Sequence, residues 1–293
     1  MTPGHTTAPS TETRRKPSDE ELDVYGLTHT GKVRKENQDH FLICALKKQM
    51  VVHGTSLPQT DHLMVGSDRL VFLMMVADGV GGSAKGAEAS RLVLEAATQY
   101  VAYCMRCYYA AGNENDDEFT EALQEAAVLC HAQLLRQGEG NDEYRGMATT
   151  LTLYLGVWPK AYMLQVGDSR CYLLRQGELS QITRDQTMAQ DLIDLGVMTR
   201  AAASKTRLAH TLSSAIGGRH PAPVVTRLEV TWGNVALLCS DGLTNHVSDE
   251  RIRDLLRSMT SAKQVCQDLV AEALAGGGSD NITVIVARAL PGG

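Results

Sequence analysis

Four acidic residues stand where an apolar run of strand length meets polar sequence. The run Leu70 to Ala77 stops at Asp78, with Gly79, Gly81 and Gly82 close behind. Tyr162 to Val166 runs through Gly167 into Asp168, and Val235 to Cys239 runs through Ser240 into Asp241. The mirror arrangement closes the chain, where Ser279-Asp280-Asn281 leads into Ile282 to Val286. Acids at strand ends, far apart in sequence, meet if one sheet system gathers them. Once gathered, carboxylates repel one another unless cations hold them. A set of oxygen ligands suits hard ions such as Mg2+ or Mn2+ better than Zn2+. The glycines after Asp78 let the backbone turn and leave its carbonyls open to a ligand.

The elements that must position these acids are legible in outline. Short apolar runs bounded by glycine predict strands at Val24–Thr28, Asp39–Ile43, Leu70–Ala77, Tyr162–Val166, Cys171–Leu174, Val235–Cys239 and Ile282–Val286. Leu151, Leu153, Leu155 and Val157 alternate, so one further strand turns them all to one side. Helical spacing of Leu92, Val93, Ala96, Ala97, Tyr100, Val101 and Cys104 predicts a helix from Ala84 to about Arg106. A second helix carries Phe119, Leu123, Ala126, Ala127, Cys130 and Leu134 on one face. Ser248 before Asp249 and Glu250 starts another helix, with a final one over Ala262–Leu274 ended by Gly276-Gly277-Gly278. Helix pairs inserted between runs of strands do not make a βαβ alternation, which excludes a doubly wound parallel sheet.

Residues 1–21, rich in Thr, Ser, Pro and charge, read as a disordered leader ahead of one domain over 22–290. Residues 45–69, with His53, His62 and Pro58, read as a strand end and an extended loop. Within the domain, a short helix is expected over Met188–Leu195, while Val197 to about Pro223 has little regular pattern, and a long loop of that kind makes about 185–223 a candidate lid. Net charge is −6 with no basic block, which argues against a nucleic-acid or membrane-surface partner. No apolar run reaches spanning length, and the seven irregularly spaced cysteines do not describe a disulfide framework, so a cytoplasmic location is expected. The single pair Cys104/Cys107 falls inside a helical pattern and reads as helix packing rather than a zinc or redox site.

The motifs Val33-Arg34-Lys35-Glu36-Asn37-Gln38-Asp39, Ala77-Asp78-Gly79-Val80-Gly81-Gly82, Gly167-Asp168-Ser169-Arg170, Ser240-Asp241-Gly242-Leu243 and Ser279-Asp280-Asn281 occur in this order. In that order they resemble the metal-dependent PP2C-type serine/threonine protein phosphatases in their bacterial form. The resemblance implies a four-layer α-β-β-α sandwich, two antiparallel sheets flanked by helix pairs, with 185–223 as a flap beside the site. It implies two or three Mn2+ or Mg2+ ions. Asp78 would bridge two of them, the Gly79 carbonyl would join the second, and Asp241 and Asp280 would hold the first. For Asp168 two readings stand: a ligand of a third ion with Asp241, or the cap of a tight turn with Arg170. Arg34 would bind the substrate phosphate, its planar fork matching two phosphoryl oxygens. Gln38 stands where many eukaryotic relatives carry a glutamate ligand, which leaves Asp39 to hold a site water or to orient Arg34. Val80 replaces a histidine acid, and Gln186 replaces another common histidine. The implied catalytic set is Arg34, Asp78 and Asp241. The implied partners are phosphoprotein substrates and a cognate serine/threonine kinase, and the expected state is a monomer. The competing reading is a pseudoenzyme or binding module that holds a phosphoprotein; the intact acids and Arg34 argue against it.

Overall fold

In the computed structural model, the described residues are 15–48, 68–80, 84–110, 116–203 and 206–291. The expectations for Gly81, Gly82, His53, His62 and the loop around Pro58 therefore lie outside the described residues, as do residues 1–14 of the expected leader.

Eleven strands form among the described residues, and every pairing is antiparallel. One sheet runs β1(Leu22–His29), β11(Ile282–Ala289), β10(Val235–Cys239), β7(Arg170–Arg175), β8(Glu178–Gln181) in spatial order. The other runs β2(Asp39–Lys48), β3(Asp68–Val80), β5(Leu151–Val157), β6(Lys160–Val166), β9(Val224–Glu229), with β4(Ala148–Thr149) paired to the end of β3.

Alternation along each strand explains the layers. On β3, Met74 and Val76 meet Leu173, Leu238 and Ile285 of the opposite sheet, forming a core between the sheets. The intervening Val71, Leu73, Met75 and Ala77 face the other way, with Leu151, Leu153, Leu155 and Val157 of β5. They are covered by the long helices α1(Ala84–Ala110) and α2(Asp116–Gly140). The second sheet is covered by α5(Asp241–Thr244), α6(Asp249–Ser258) and α7(Ala262–Ala275), through Leu243, Ile252, Leu256, Val265 and Leu269. Buried on both faces, the strands read as continuous apolar runs rather than strict alternation. The four-layer α-β-β-α sandwich is the architecture that the resemblance implied.

The expected leader ends too late. Residues 15–21 are strapped to the domain because Arg69 donates to the Pro17 carbonyl and to Asp19 Oδ1, each at 2.5 Å. Lys47 takes the other Asp19 oxygen, and Arg15 pairs with Glu21. A buried guanidinium requires partners, and those of Arg69 lie about fifty residues upstream, where composition alone gives no sign of them.

The short helix expected over Met188–Leu195 is present as α3(Met188–Asp194), capped by Thr187. The stretch after it is more ordered than its pattern suggests, with the single turn α4(Arg200–Ala203) and a 3-10 turn over Arg207–His210. An isolated bridge Thr187↔Leu212 closes the segment on itself, and Thr149↔Ile216 stitches it back to the sandwich. Among the described residues no helix is long and apolar enough to cross a membrane.

Candidate functional site

All the expected site residues gather at one end of the sandwich. β3 and β2 place Asp78 and Asp39 directly opposite each other. The β6–β7 turn carries Asp168, the first turn of α5 carries Asp241, and the approach to β11 carries Asp280. Asp78, Gly79, Asp168, Asp241, Asp280, Arg34 and Gln38 line one cavity of about 730 Å³, joined by His210 from the flap.

The backbone around Asp78 is pinned by hydroxyls. Its N–H donates to Thr150 Oγ1 at 2.9 Å, and its carbonyl accepts from Thr149 Oγ1 at 2.8 Å and Thr150 N–H at 2.9 Å. Thr150 in turn shares a 2.9 Å hydrogen bond with Ser169, next to Asp168. Gly79 packs against Gly86 of α1 so closely that a Cβ would overlap the Gly86 carbonyl. Gly242 lies equally tight against the Asn281 carbonyl, which holds the Asp241 turn beside Asp280.

Asp39 is buried behind Asp78 and bridges the two sheets. Its Oδ2 accepts from Ser240 Oγ and from Thr283 Oγ1, each at 2.7 Å. The donors run in one direction: Asn37 Nδ2 gives to Thr28 Oγ1, Thr28 and Thr283 share the next bond, and Thr283 gives to Asp39. Asp39 makes no hydrogen bond to Arg34 among the described residues, so its expected role in orienting that arginine is not what the structure shows.

Asp280 does that work instead. Arg34 Nε donates to Asp280 Oδ1 at 2.8 Å and Nη2 to Oδ2 at 2.6 Å, a bidentate pair at the rim of the cavity. The hydrogen bonds that Arg34 donates to Asp280 raise its pKa, with smaller help from the Asp280, Asp78 and Asp241 charges. Asn281 locks the loop that bears Arg34. Its side chain accepts from Gln38 N–H at 2.9 Å and donates to the Thr30 and Glu36 carbonyls at 2.8 and 3.0 Å.

Asp168 is not tied to Arg170. Arg170 forks onto Asp185 at 2.9 and 2.7 Å and reaches the Tyr172 hydroxyl at 2.8 Å. The turn before Asp168 is held by Gln186 instead. Its Oε1 accepts from Gly167 N–H at 2.8 Å, while its Nε2 donates to the Ala222 carbonyl at 2.7 Å and ties the turn to the end of the flap. The φ of +108° at Gly167, with Thr150 against the missing Cβ, makes glycine necessary there. The turn-capping partner expected for Asp168 is thus replaced, and its carboxyl is left facing the other acids.

The electrostatics state what is missing. Burial, then the charges of Asp39, Asp241, Asp168 and Asp280, push the Asp78 carboxyl well above the usual range. Burial and then Asp241 do the same to Asp168, and burial and then Asp280 raise Asp241. Burial raises Asp39 from 3.8 to about 7 despite its two hydroxyl donors. Two buried carboxylate oxygens, Asp39 Oδ1 and Asp241 Oδ1, have no hydrogen-bond partner. Asp241 lies within hydrogen-bonding reach of Asp78, a contact that stabilises it only if Asp78 carries a proton. A hard cation supplies the charge and the ligand vacancies' partners at once, so the residues fit divalent metal ions. Among the described residues, no three acidic, imidazole or thiol side chains yet converge on one ion position. Asp280 is engaged by Arg34 and Asp241 Oδ2 by Asn245 at 3.0 Å, so loading requires those side chains to turn inward.

The sequence motifs had located the acids and Arg34 but not Asn281 as a clamp, Gln186 as a strap, or the hydroxyls of Thr150, Ser240 and Thr283. The only available sign was polar residues placed within or at the ends of buried apolar strands.

Comparison with known proteins follows the same lines. A sequence model of the family described as protein phosphatase 2C matches residues 53–276. The chain is 36% identical over 215 residues to the serine/threonine protein phosphatase PstP of Mycobacterium tuberculosis, covering 73% of this chain and 40% of that protein. It therefore spans less than half the length of that curated relative. It is 28% identical over 264 residues to protein phosphatase PhpP of Streptococcus pneumoniae, covering 90% of this chain and 96% of PhpP. A crystal structure of the catalytic domain of PstP in complex with two manganese ions matches with a TM-score of 0.70 at 32% identity, over 92% of this chain and 98% of that one.

Proposed function

The chain belongs to the protein phosphatase 2C family, and from that premise we propose that it is a metal-dependent protein phosphatase that releases phosphate from phosphoserine and phosphothreonine in proteins. The observation that carries this reading is the acid-lined cavity with Arg34 at its rim. Asp78, Asp241 and Asp280, with Asp168 for a third ion and the Gly79 carbonyl, are the groups that would hold Mn2+ or Mg2+. Asp39 would act through a water. Bound ions would supply Lewis acidity toward the phosphoryl oxygens and lower the pKa of water at the site.

The chain's own residues do the rest. Arg34, its loop anchored through the Asn281 clamp and its fork freed once Asp280 turns inward, offers donors to phosphoryl oxygens where negative charge builds. The Thr149 and Thr150 hydroxyls fix the Asp78 backbone, so the carboxyl stays in place as charge moves. Asp39 keeps a fixed acceptor, Oδ1, behind Asp78. The one Cys-X5-Arg spacing, Cys130 to Arg136, lies inside α2 with Cys130 buried and its thiol pushed up to about 12 by burial, so it forms no phosphate-binding loop, which agrees with direct attack by water rather than a phosphocysteine intermediate.

The substrates would be phosphoproteins, with a serine/threonine kinase as the opposing partner and the monomer as the working form. Six free cysteines among the described residues suit a reducing compartment such as the cytoplasm. The test is phosphate release from a phosphothreonine peptide with Mn2+, before and after stripping with EDTA. Turnover that EDTA abolishes and Mn2+ restores is expected. A folded protein that binds the peptide without turnover under any divalent ion would instead establish the binding-module reading. Arg34→Ala is expected to raise KM and lower kcat/KM for the same peptide; unchanged kinetics would make Arg34 structural.

A further inference from the structure

A second cavity, of about 500 Å³, adjoins the first and shares Asp168, Asp241, His210, Asn245 and Ser279 with it. Its outer wall is the flap, from which Thr187, Gln190, Ile193, Arg200 and His210 contribute. It is far larger than one phosphoryl group requires, so a substrate seated in the metal cavity has room to extend side chains into it.

The charges lining it are unequal in their commitments. Asp185 is neutralised by the bidentate Arg170 pair. Asp168 and Asp241 belong to the metal site. On the flap wall, Arg200 is exposed and makes no hydrogen bond or ion pair among the described residues. Its charge bears on Asp194, but the Asp194 carboxylate is already taken by Arg184 at 2.5 Å and Gln190 at 2.7 Å. Arg184 also holds Asp191 at 2.8 Å, so the flap's acids are satisfied without Arg200.

The sequence sharpens the contrast. In a chain of net charge −6, the stretch between Asp194 and Glu229 contains no acidic residue, yet it carries Arg200, Arg207, Arg219 and Arg227. Of these, Arg200 is the one that lines the cavity, and Arg227, on β9, pairs with Asp116; an uncommitted cation facing a cavity favours an oppositely charged ligand group there.

From the adjoining cavity and the uncommitted Arg200 we infer an anion-accepting subsite for a second negatively charged side chain of the phosphoprotein substrate, near the phosphorylated residue. This rests on the phosphatase reading above and adds to it a preference for acidic or multiply phosphorylated segments. The shared chemistry is an oxyanion, a glutamate carboxylate or a second phosphate, received by a planar guanidinium.

Three phosphothreonine peptides of equal length test it: one with alanine flanks, one with glutamate on both sides, and one with a second, neighbouring phosphothreonine whose release is followed separately. The wild-type protein is expected to show a lower KM for both anionic peptides, by about fivefold, the scale of one partly screened ion pair. Raising NaCl toward 0.5 M should shrink that ratio, because the interaction is screened. In Arg200→Ala the ratio should fall to about one through KM rather than kcat, and Arg200→Lys should restore part of it. A gain confined to one anionic peptide would identify the source as carboxylate or as phosphate. Equal KM for the three peptides in the wild type, or a preference that survives Arg200→Ala, would overturn the inference while leaving the phosphatase reading intact. Failure to hydrolyse any of the three would remove that reading and the inference with it.

Discussion

Replacement of Asn281 separates a loop clamp from mere proximity to the acids. Its side chain makes three hydrogen bonds, to Gln38 N–H, the Thr30 carbonyl and the Glu36 carbonyl, at 2.9, 2.8 and 3.0 Å. The residue itself is buried, so water replaces these bonds incompletely. At about 1 kcal/mol net for each, Asn281→Ala is expected to cost about 3 kcal/mol. Asn281→Asp is the sharper variant. It keeps the acceptor for Gln38 but turns a carboxylate toward two carbonyls, and it adds charge beside Asp280. Despite its near-identical shape it should destabilise at least as much as alanine does. The assay is urea unfolding in EDTA at pH 7.5, reading the midpoint at constant slope. Because the clamped loop bears Arg34, kcat/KM for the phosphothreonine peptide should fall as well. The losses in Arg34→Ala and Asn281→Ala should then not add in the double variant. A loss below 1 kcal/mol, an aspartate milder than alanine, or additive kinetic effects would refute the clamp.

Three other outcomes follow from the same geometry. Asp39 holds its proton in the folded, metal-free protein up to about pH 7 but loses it near 3.8 when exposed. The native state therefore binds more protons across that window, and stability falls as pH rises through it, by up to about 4 kcal/mol from this group. Melting temperatures in EDTA from pH 4.5 to 7.5 should show this decline, and Asp39→Asn should remove most of it; equal slopes in the two proteins would count against a buried, uncompensated Asp39. Thr283→Val deletes one of the two donors to Asp39 Oδ2 and should cost about 1–2 kcal/mol at pH 7.5, less at pH 5 where the carboxyl is neutral, read by the same melts. Gly242→Ala places a Cβ against the Asn281 carbonyl, a backbone group that cannot rotate away. It should lose at least about 2 kcal/mol and weaken Mn2+ binding by spreading Asp241 from Asp280; calorimetry with wild-type affinity would contradict the tight approach.

The core strands were legible because they are buried on both faces and so carry uninterrupted apolar runs, such as Leu70–Ala77, that end at the functional acids; their arrangement as a layered sandwich came from the resemblance of the ordered motifs. Asp78, Asp168, Asp241 and Asp280 share one signature, a charge where a core strand stops, and four copies of it pointed to one site. The partnerships among polar residues left no such trace. Arg34 and Asp280 are 246 residues apart, and nothing local to Arg34 indicates that its fork is taken. Arg170 near Asp168 suggested a pair by adjacency, but Asp168 sits in the turn before β7 begins, and the guanidinium on the first residue of β7 reaches Asp185 instead. Gln186 departs from the histidine common at its position, and nothing in the sequence shows that its amide both accepts from Gly167 and donates to Ala222, as the strap requires. Composition likewise put the leader's end at 21, whereas two contacts of the buried Arg69 bring order back to 17–19.

The central claim is that these carboxylates exist to hold divalent cations. Calorimetric titration of Mn2+ into EDTA-stripped protein at pH 7.5, beside Asp241→Asn, tests it most directly. The account predicts at least two Mn2+ per wild-type chain and proton release on binding, since ligands raised by burial must ionise. It predicts that Asp241→Asn weakens or removes at least one of those sites in a protein that remains folded. No Mn2+ uptake by the wild type, or identical isotherms for the two proteins, would contradict it.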